Sequence, residues 1–411
     1  MHSTPEVDLH PVLKEFQHLI ETNPRVRRLI CSMFAEIPGI NRHHCTDPTG
    51  CPQIRDYHHM LRVLNYLLTT APSWSDYSFR AGLVGLPINA IFAWSMGTPS
   101  GYAAYMDPEV NAMVKKILDA WGAYLKSPDS ANVLDGSDNG WFGETAKRKL
   151  VDVANAPSGS AYAFHELFVC DPSATHHGFQ SWDHFFTREF RPGVRPVASP
   201  DDGNIIVNAC EAQPYRVARD TKGNDTFWIK EQPYSVFDML AHDPLAVQFV
   251  GGTVYQGYLS ALSYHRWHAP VSGRIVKAYV VDGTYYSAPP FKIQWDAGLG
   301  EENRIDPLAL MTAQEYLSCV ATRAIIFIEC DKPAVGLMAF LGVGMCEVST
   351  CDITVSEGQH VRKGDQLGMF HFGGSTHCLL FRKGVQMEGF PSTDLQRNLA
   401  VNSRLAVVSG S

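Results

Sequence analysis

The chain has 411 residues, of which 45% are hydrophobic, so it is long enough for two structural units with a sizeable core. Its formal net charge is -8, and no basic stripe interrupts the balance of 34 basic and 42 acidic residues. These values argue against nucleic acid and against an anionic membrane surface as partners. A protein that acts on small molecules fits them best.

The N-terminal sequence lacks the basic start and the apolar stretch of a signal peptide. The apolar run 81–94 is too short to span a membrane and contains Pro87. We therefore expect a cytoplasmic protein. Ten cysteines are scattered along the chain, several of them inside strand-like apolar runs, which indicates reduced core residues and not a disulfide framework.

Residues 1–160 predict a helical domain. Apolar residues recur at helical spacing over 13–20 and again over 26–34. Asp107-Pro108 favours a helix start, because aspartate caps free amide groups and proline suits the first helical position. The apolar stripe that follows, over 110–125, is typical of a helix that faces a core.

The pattern changes after this stripe. Residues 126–160 are rich in Ser, Asp, Asn and Gly and predict a linker or long surface loops. From about residue 200, short runs such as GTVYQGYLSAL and RAIIFIEC are separated by Gly, Pro and Asp, which is typical of strands. Residues 161–411 therefore predict a β-rich domain, and the whole chain predicts an α+β fold.

Four stretches of the β-rich half stand out in a fixed order. They are WDHFFTREFRPGVRP at 182–196, SPDDG at 199–203, YHRWHAPVSG at 264–273 and EGQHVRKGDQLGMFHFGGST at 357–376. Together they resemble the phosphatidylserine decarboxylase family, whose members cut themselves at a Gly-Ser bond. The first stretch also predicts an amphipathic helix with a structural role, ending at Arg191-Pro192.

The N-terminal half sharpens this resemblance. LDAWGAYLKSPDSANVL and AFHELFVCD are similar to a soluble fungal branch of the family that decarboxylates aromatic amino acids. The resemblance implies a pyruvoyl-dependent decarboxylase of a free aromatic L-amino acid, above all of L-tryptophan to tryptamine. It implies a small-molecule substrate and no pyridoxal phosphate.

The resemblance explains why two glycines precede Ser375. Adjacent glycines weaken a strand, but they permit the dihedrals that a bent, strained peptide needs. The Ser375 hydroxyl could then attack the carbonyl of Gly374, and elimination followed by hydrolysis would leave a pyruvoyl group derived from Ser375. The products would be a large chain of residues 1–374 and a small chain of residues 375–411 that remain associated.

The resemblance also assigns roles to other residues. His268 would be the base that activates Ser375, oriented by Asp202, with Asp201 as a rival for that place. His265 would donate a proton to the substrate after the loss of carbon dioxide, because a histidine pKa near neutrality suits proton transfer.

An aromatic substrate needs a flat apolar slot with a few polar anchors. Candidates for its walls are Phe372, Trp267 and either Tyr286 or Tyr285. Residues 287–318 form a long irregular insertion, of a length at which loops are often lids, and could help to cover the site.

Two alternatives stay open. Phosphatidylserine decarboxylases commonly carry Asn-Glu-Arg where this chain has Ala321-Thr322-Arg323, and no membrane anchor is evident, so a free amino acid is favoured over a phospholipid. An alternative of another class is a non-catalytic lipoyl- or biotinyl-like carrier, because VSEGQHVRKGDQLG is typical of a hairpin in barrel-sandwich domains. Against it, Gly-Gly-Ser follows this segment where a carrier would present a lysine.

A metal site is not expected. Residues 43–59 gather four histidines and two cysteines, but the gap from Cys45 to Cys51 is wider than zinc sites use. Asp201-Asp202 could bind calcium, yet no loop has the ligand spacing of an EF-hand.

Overall fold

The computed structural model describes residues 8–40, 45–224, 234–288, 313–348, 350–372 and 375–409. Helices come first along the chain and strands follow, which confirms the predicted α+β class. The helices are α1 (Pro11–Thr22), α2 (Pro24–Ile40), α3 (Tyr57–Leu67), α4 (Asp76–Arg80), α5 (Pro87–Met96), α6 (Pro99–Met106), α7 (Pro108–Leu125), α8 (Glu144–Asn155), α9 (Phe164–Leu167), α10 (Trp182–Phe186), α11 (Val236–Met239) and α12 (Gln314–Val320).

The strands belong almost wholly to the second half of the chain. They are β1 (Ile205–Val207), β2 (Gln213–Ala218), β3 (Thr253–Leu259), β4 (Arg266–His268), β5 (Gly273–Val281), β6 (Arg323–Cys330), β7 (Leu337–Gly344), β8 (Thr350–Ile353), β9 (His360–Val361), β10 (Gln366–His371), β11 (Ser375–Phe381), β12 (Met387–Glu388) and β13 (Arg404–Val408). Short 3-10 helices lie at Pro128–Val133, Thr175–Gly178, Pro244–Phe249 and Cys346–Val348.

Helix α7 begins and ends as its sequence predicts. The Asp107 side chain accepts hydrogen bonds from the backbone N–H groups of Glu109 and Val110, and Pro108 occupies the first turn. The apolar stripe of the helix is buried, including Trp121. This long helix packs its stripe toward the rest of the core.

The prediction of a linker or surface loops over 126–160 is wrong for a large part of that segment. Helix α8 lies within it, with Ala146, Leu150 and Ala154 buried on one face. These small apolar residues at helical spacing are flanked by polar stretches, and the flanks dominated the composition of the segment.

The helix predicted to run to Arg191-Pro192 is much shorter. Helix α10 ends at Phe186, because the chain then turns so that Phe190 pairs with Phe168 in an antiparallel bridge. The Arg188 side chain points inward, with its guanidinium carbon 4.7 Å from the Phe168 ring centroid. Tertiary contacts therefore override the helical pattern here.

The largest sheet has seven antiparallel strands in the order β2-β3-β11-β7-β6-β5-β9. Strand β11 lies inside this sheet, between β3 and β7. Ser375 pairs with Leu259 of β3 and with Gly344 of β7 at the start of the strand. The residues of β11 are buried, so the strand is held on both edges and both faces.

The segment predicted as a barrel-sandwich hairpin, residues 355–368, contributes to two different sheets. Strand β9 pairs with β5 in the seven-stranded sheet, whereas β10 pairs with β4 and β8 in a three-stranded sheet. The third sheet has the order β1-β13-β12. Of the predicted insertion 287–318, residues 289–312 lie outside the described residues.

The helical and β-rich parts share one continuous hydrophobic core. Tyr286 packs against Phe92 of α5 with ring centroids 4.9 Å apart. Glu347, just after β7, accepts a hydrogen bond of 2.7 Å from the Asn89 N–H in the first turn of α5. The domain boundary near residue 160 therefore stays a prediction.

Within the described ranges, none of the helices has the length and apolarity needed to cross a membrane. The ten cysteines all lie within the described residues and none of them forms a disulfide; five are buried: Cys210, Cys319, Cys330, Cys346 and Cys378. Among the residues that the structure describes, no three His, Cys, Asp or Glu side chains group as metal ligands would, and His43 and His44 lie outside that set.

Candidate active site

Ser375 begins strand β11 in the interior of the protein. Its side chain is fully buried, and its hydroxyl oxygen makes no hydrogen bond with any described residue. Buried hydroxyl groups normally have a partner, because an unmade hydrogen bond costs about 1–3 kcal/mol. The two residues before it, Gly373 and Gly374, lie outside the described residues. The Ser375 hydroxyl is thus not held by a hydrogen bond to any residue that the structure describes.

The backbone immediately before the two glycines is strained. Phe372 has a φ of 74°, a value that bulky side chains rarely adopt. Its ring lies against the helical part of the chain, 6.2 Å from the Trp121 ring and 6.5 Å from the Trp182 ring. The approach to α7 is so close that a Cβ on Gly122 would lie 2.9 Å from Phe372 Cε2. Packing against the helices therefore holds Phe372 in its strained conformation.

His371 is anchored as firmly as Phe372. Its Nδ1 lies 2.7 Å from Asp183 Oδ1, and both side chains are buried. Asp183 belongs to α10, so the WDHFF stretch holds the residues that lead to Ser375. This agrees with the structural role predicted for that stretch.

His268 lies on β4 and has two hydrogen-bond partners. Its Nδ1 is 2.8 Å from the Gly364 carbonyl oxygen, and its Nε2 is 3.1 Å from the Tyr264 hydroxyl. Nδ1–H therefore donates to the carbonyl, and Nε2 accepts from the hydroxyl. Burial lowers the pKa of His268 more than the Gly364 carbonyl raises it, so the neutral form is favoured.

Asp202 does not hydrogen-bond to the imidazole of His268. Its carboxylate is exposed and accepts bonds from the backbone and side-chain nitrogens of Asn204, at 2.9 and 3.0 Å. Its backbone carbonyl accepts a 2.7 Å bond from Lys363 Nζ, and Lys363 precedes the glycine that binds His268. The two residues are thus connected through the 363–364 turn, and the direct orienting role stays a prediction.

His265 is buried beside the WDHFF stretch. Its ring stacks on that of Phe186 with centroids 4.3 Å apart, and its carbonyl accepts a 2.9 Å bond from the Phe370 N–H. Strand β10 therefore fixes the backbone of His265 beside Phe370, a residue five positions before Ser375. Its role as a proton donor stays a prediction.

The three aromatic candidates pack against different neighbours. Trp267 packs between the sheets, where a Cβ on Gly342 of β7 would lie 3.0 Å from its Cζ2. Tyr286 packs against helix α5, and Phe372 against α7. Tyr285 is also buried. A substrate slot formed by these residues together stays a prediction.

Comparison with known proteins decides the family. A family model described as phosphatidylserine decarboxylase matches residues 182–401, and a second model of the same description matches residues 10–150. The chain belongs to the phosphatidylserine decarboxylase family. It is therefore a decarboxylase, a carboxy-lyase of the pyruvoyl type.

Three relatives from fungi show the similarity. The chain is 45% identical to "Decarboxylase iboD" of Amanita muscaria over 358 residues, which cover 84% of this chain and 99% of that protein. It is 37% identical to "L-tryptophan decarboxylase" of Psilocybe cubensis over 394 residues, covering 93% and 83%. "Phosphatidylserine decarboxylase proenzyme 3" of Schizosaccharomyces pombe is 30% identical over 56% of this chain.

Members of the phosphatidylserine decarboxylase family use a pyruvoyl group, and the surroundings of Ser375 fit one. The group needs a serine precursor whose hydroxyl is available to react and a site shielded from bulk solvent. Ser375 is buried and its hydroxyl has no partner in the described part of the chain. These are the properties of such a precursor.

Two buried side chains near Ser375 are not singled out by the sequence analysis, Asp183 and His377. Asp183 lies in a stretch expected to be a structural helix, and the structure shows that it anchors His371. His377 lies on β11 and is fully buried, outside the YHRWH stretch that supplies the candidate base. Its position two residues after Ser375 was the available signal, since alternate residues of a strand share a face.

Proposed function

We propose that this chain decarboxylates a free aromatic L-amino acid, with L-tryptophan as the first candidate, after cutting itself between Gly374 and Ser375. The observation that carries the proposal is the buried Ser375 hydroxyl without a hydrogen-bond partner among the described residues, three positions after the strained Phe372. The names of the Psilocybe relatives support tryptophan as substrate. The relative with 45% identity has a name that states decarboxylation and no substrate.

Self-cleavage would use groups of this chain alone. Ser375 Oγ attacks the carbonyl carbon of Gly374, the C–N bond of that peptide breaks, and the hydroxyl proton passes to the freed nitrogen. Elimination then removes the α-proton of residue 375 and breaks its Cβ–Oγ bond, which leaves a carboxylate on Gly374. Hydrolysis consumes one water and releases ammonia, and residue 375 becomes a pyruvoyl group.

The pyruvoyl group would supply an electron sink for the loss of carbon dioxide. Ser375 is the residue that would carry it. In this proposal His268 receives the serine proton through Nε2, which already lies in a hydrogen bond with Tyr264, and His265 returns a proton to the substrate carbon. Phe186 would keep the His265 ring in place by stacking.

The position of β11 supports continued association of the two products. The small chain would begin with this strand, which is paired along its length with β3 and β7 of the large chain. Its buried residues would have to leave the core for the chains to separate. We therefore propose that the large and small chains stay together.

Replacing the nucleophile tests the self-cleavage. We expect Ser375→Ala to remain one uncut chain without decarboxylase activity, whereas Thr376→Ser, a change at the next residue, should still be cut. Denaturing mass spectrometry of both variants gives the result. An uncut wild-type chain with full activity, or a cut Ser375→Ala chain, would contradict the proposal.

The substrate is tested by carbon dioxide release from purified wild-type protein. We expect release from L-tryptophan, and less from L-phenylalanine and from vesicles of phosphatidylserine. Faster release from the vesicles would replace the proposed substrate class by a phospholipid. Release from neither aromatic amino acid would exclude an aromatic substrate while leaving the self-cleavage untouched.

A further inference from the structure

Strand β11 carries a second reactive group on the same face as Ser375. Side chains alternate along a strand, so Ser375 and His377 point to one face and Thr376 to the other. Consistent with this, the Thr376 hydroxyl bonds to Gln256 and to the Gly257 carbonyl, away from the serine. Two residues of strand span about 6.6 Å, so the Cα atoms of Ser375 and His377 lie about that far apart with their side chains on one face.

The neighbouring strands leave room for this imidazole. Both cross-strand partners of His377 are glycines, Gly257 on β3 and Gly342 on β7. A Cβ on Gly257 would lie 2.8 Å from His377 Cε1, closer than atoms approach without a shift. Trp267 fills the space above Gly342. A large polar ring fits in the centre of this sheet because both flanking positions lack a side chain.

Several buried polar groups near His377 have no hydrogen-bond partner among the described residues. Neither ring nitrogen of His377 makes a hydrogen bond of regular geometry with a described residue, although the Gly257 carbonyl lies close enough to affect its pKa. The same is true of Ser375 Oγ, of the Tyr255 hydroxyl and of Trp267 Nε1. The Tyr255 ring lies 5.8 Å from the His377 ring, and a single point at Gly257 lies within 3.3 Å of both His377 Cε1 and the Tyr255 hydroxyl. We call Ser375, His377, Tyr255 and Trp267 the orphan cluster.

The protonation state of the His377 imidazole limits the chemistry that it can perform. Burial lowers the pKa of His377 to about 3, and the nearby Gly257 carbonyl offsets this only in part. The ring is therefore neutral at physiological pH and offers one N–H donor and one lone pair. Such a ring binds a hydroxyl group or a water molecule well, but it takes up a whole proton poorly.

A buried water molecule would satisfy these groups together. Such water sites form where several buried polar atoms converge, and each water makes about three hydrogen bonds. We propose that the orphan cluster binds one water molecule, and that His377 is a positioning residue which, through this water, orients the Ser375 hydroxyl for attack on Gly374. This inference rests on the proposed self-cleavage. His377 takes no proton in the step, since the hydroxyl proton ends on the freed nitrogen of residue 375.

Three variants of His377 test the role in full-length protein. His377→Leu has similar bulk and no polar atom, whereas His377→Asn and His377→Gln keep a neutral hydrogen-bonding group. We expect the rate of conversion from one chain to two to fall at least tenfold in His377→Leu and to recover, at least in part, in one of the two amides. Cys378→Ala is the matched control, because Cys378 is equally buried on the opposite face, and it should be cut at about the wild-type rate.

Each His377 variant is also made together with Ser375→Ala, so that it stays uncut, and its melting temperature is measured. These temperatures separate a positioning role from a merely structural one. Positioning predicts that the conversion rate follows the hydrogen-bonding capacity of residue 377. A rate that follows the melting temperature instead, or wild-type conversion in His377→Leu, overturns the inference.

A second position keeps the test decisive if His377→Leu does not fold. Tyr255→Phe removes one hydroxyl of the orphan cluster and nothing else, and we expect conversion to slow severalfold. Conversion at the wild-type rate would exclude the shared water. In all these experiments, failure of Ser375→Ala to stay uncut would contradict the proposed self-cleavage itself, whereas unaffected His377 and Tyr255 variants beside an uncut Ser375→Ala would remove only this inference.

Discussion

At the scale of single residues, the strained backbone of Phe372 is the feature that best fits the proposed cleavage before Ser375. A positive φ in a phenylalanine costs free energy, on the order of 1–3 kcal/mol, and persists only where surrounding contacts impose it. Here the contacts come from Trp121, Trp182 and the bare backbone of Gly122. Two glycines follow in the sequence, and glycine permits strained dihedrals more readily than other residues.

The sequence predicted part of this arrangement. Ser375 and the two glycines were recognisable, because glycines inside a strand pattern need a local reason. The strain at Phe372 was not, since it depends on a helix far away in the chain. In the same way the motif around His268 could be recognised, but the hydrogen bonds of His268 to Tyr264 and Gly364 depend on how strands β4 and β10 meet.

Gly122→Ala tests whether the clamp on Phe372 matters. In a helix interior this change normally stabilises by about 1 kcal/mol, but here the new methyl group would meet the Phe372 ring. We expect the variant to be less stable than wild type by about 1–2 kcal/mol and to be cut more slowly. Urea unfolding of the uncut form and the rate of conversion to two chains measure both effects.

The double variant Gly122→Ala with Phe372→Leu is the control for this clash. A smaller side chain at 372 should give room to the methyl group and recover part of the lost stability. The conversion rate of the double variant is compared with that of Phe372→Leu alone. A stabilised Gly122→Ala chain with unchanged conversion would contradict the clamp.

At the scale of elements, the decisive arrangement is the contact of helices α5, α7 and α10 with the strands around Ser375. Helix α7 and its aspartate cap could be predicted because their signals are local. Helix α8 was missed and α10 was predicted too long, because polar flanks hid the first and the Phe168–Phe190 bridge cuts short the second. Sheet order was beyond prediction, since it depends on pairings between distant strands.

Glu347 gives the contact of α5 with the sheet a pH dependence. Burial raises the pKa of this carboxyl group from 4.5 to about 7, although the N–H groups of Asn89 and Ile88 lower it. Between pH 4.5 and 7 the folded chain therefore holds a proton that the unfolded chain has lost. The contribution of Glu347 to stability thus falls as the pH rises through this window, by up to about 3 kcal/mol.

Glu347→Gln removes this titration. We expect the free energy of unfolding of Glu347→Gln to rise relative to that of wild type as the pH is raised from 5 to 8. Glu357→Gln, at an exposed carboxyl group, is the control and should run parallel to wild type. Parallel curves for Glu347→Gln as well would show that Glu347 does not titrate in this range.

At the scale of the whole molecule, one core joins the helical and the β-rich parts, and the strand that begins at Ser375 lies inside the largest sheet. Cutting the chain before Ser375 would therefore leave all the pairings of β11 in place. The small chain would remain an internal strand of the fold, held by β3 and β7 on its two edges. A reactive terminus would thus be created within a structure that is already folded.

The mass of the purified wild-type protein tests this most directly. We expect a native mass equal to the two parts together, and two masses under denaturing conditions that correspond to residues 1–374 and to residues 375–411 with a pyruvoyl group in place of the first serine. Active protein that shows a single intact chain of 411 residues under denaturing conditions, with Ser375 unmodified, would contradict it.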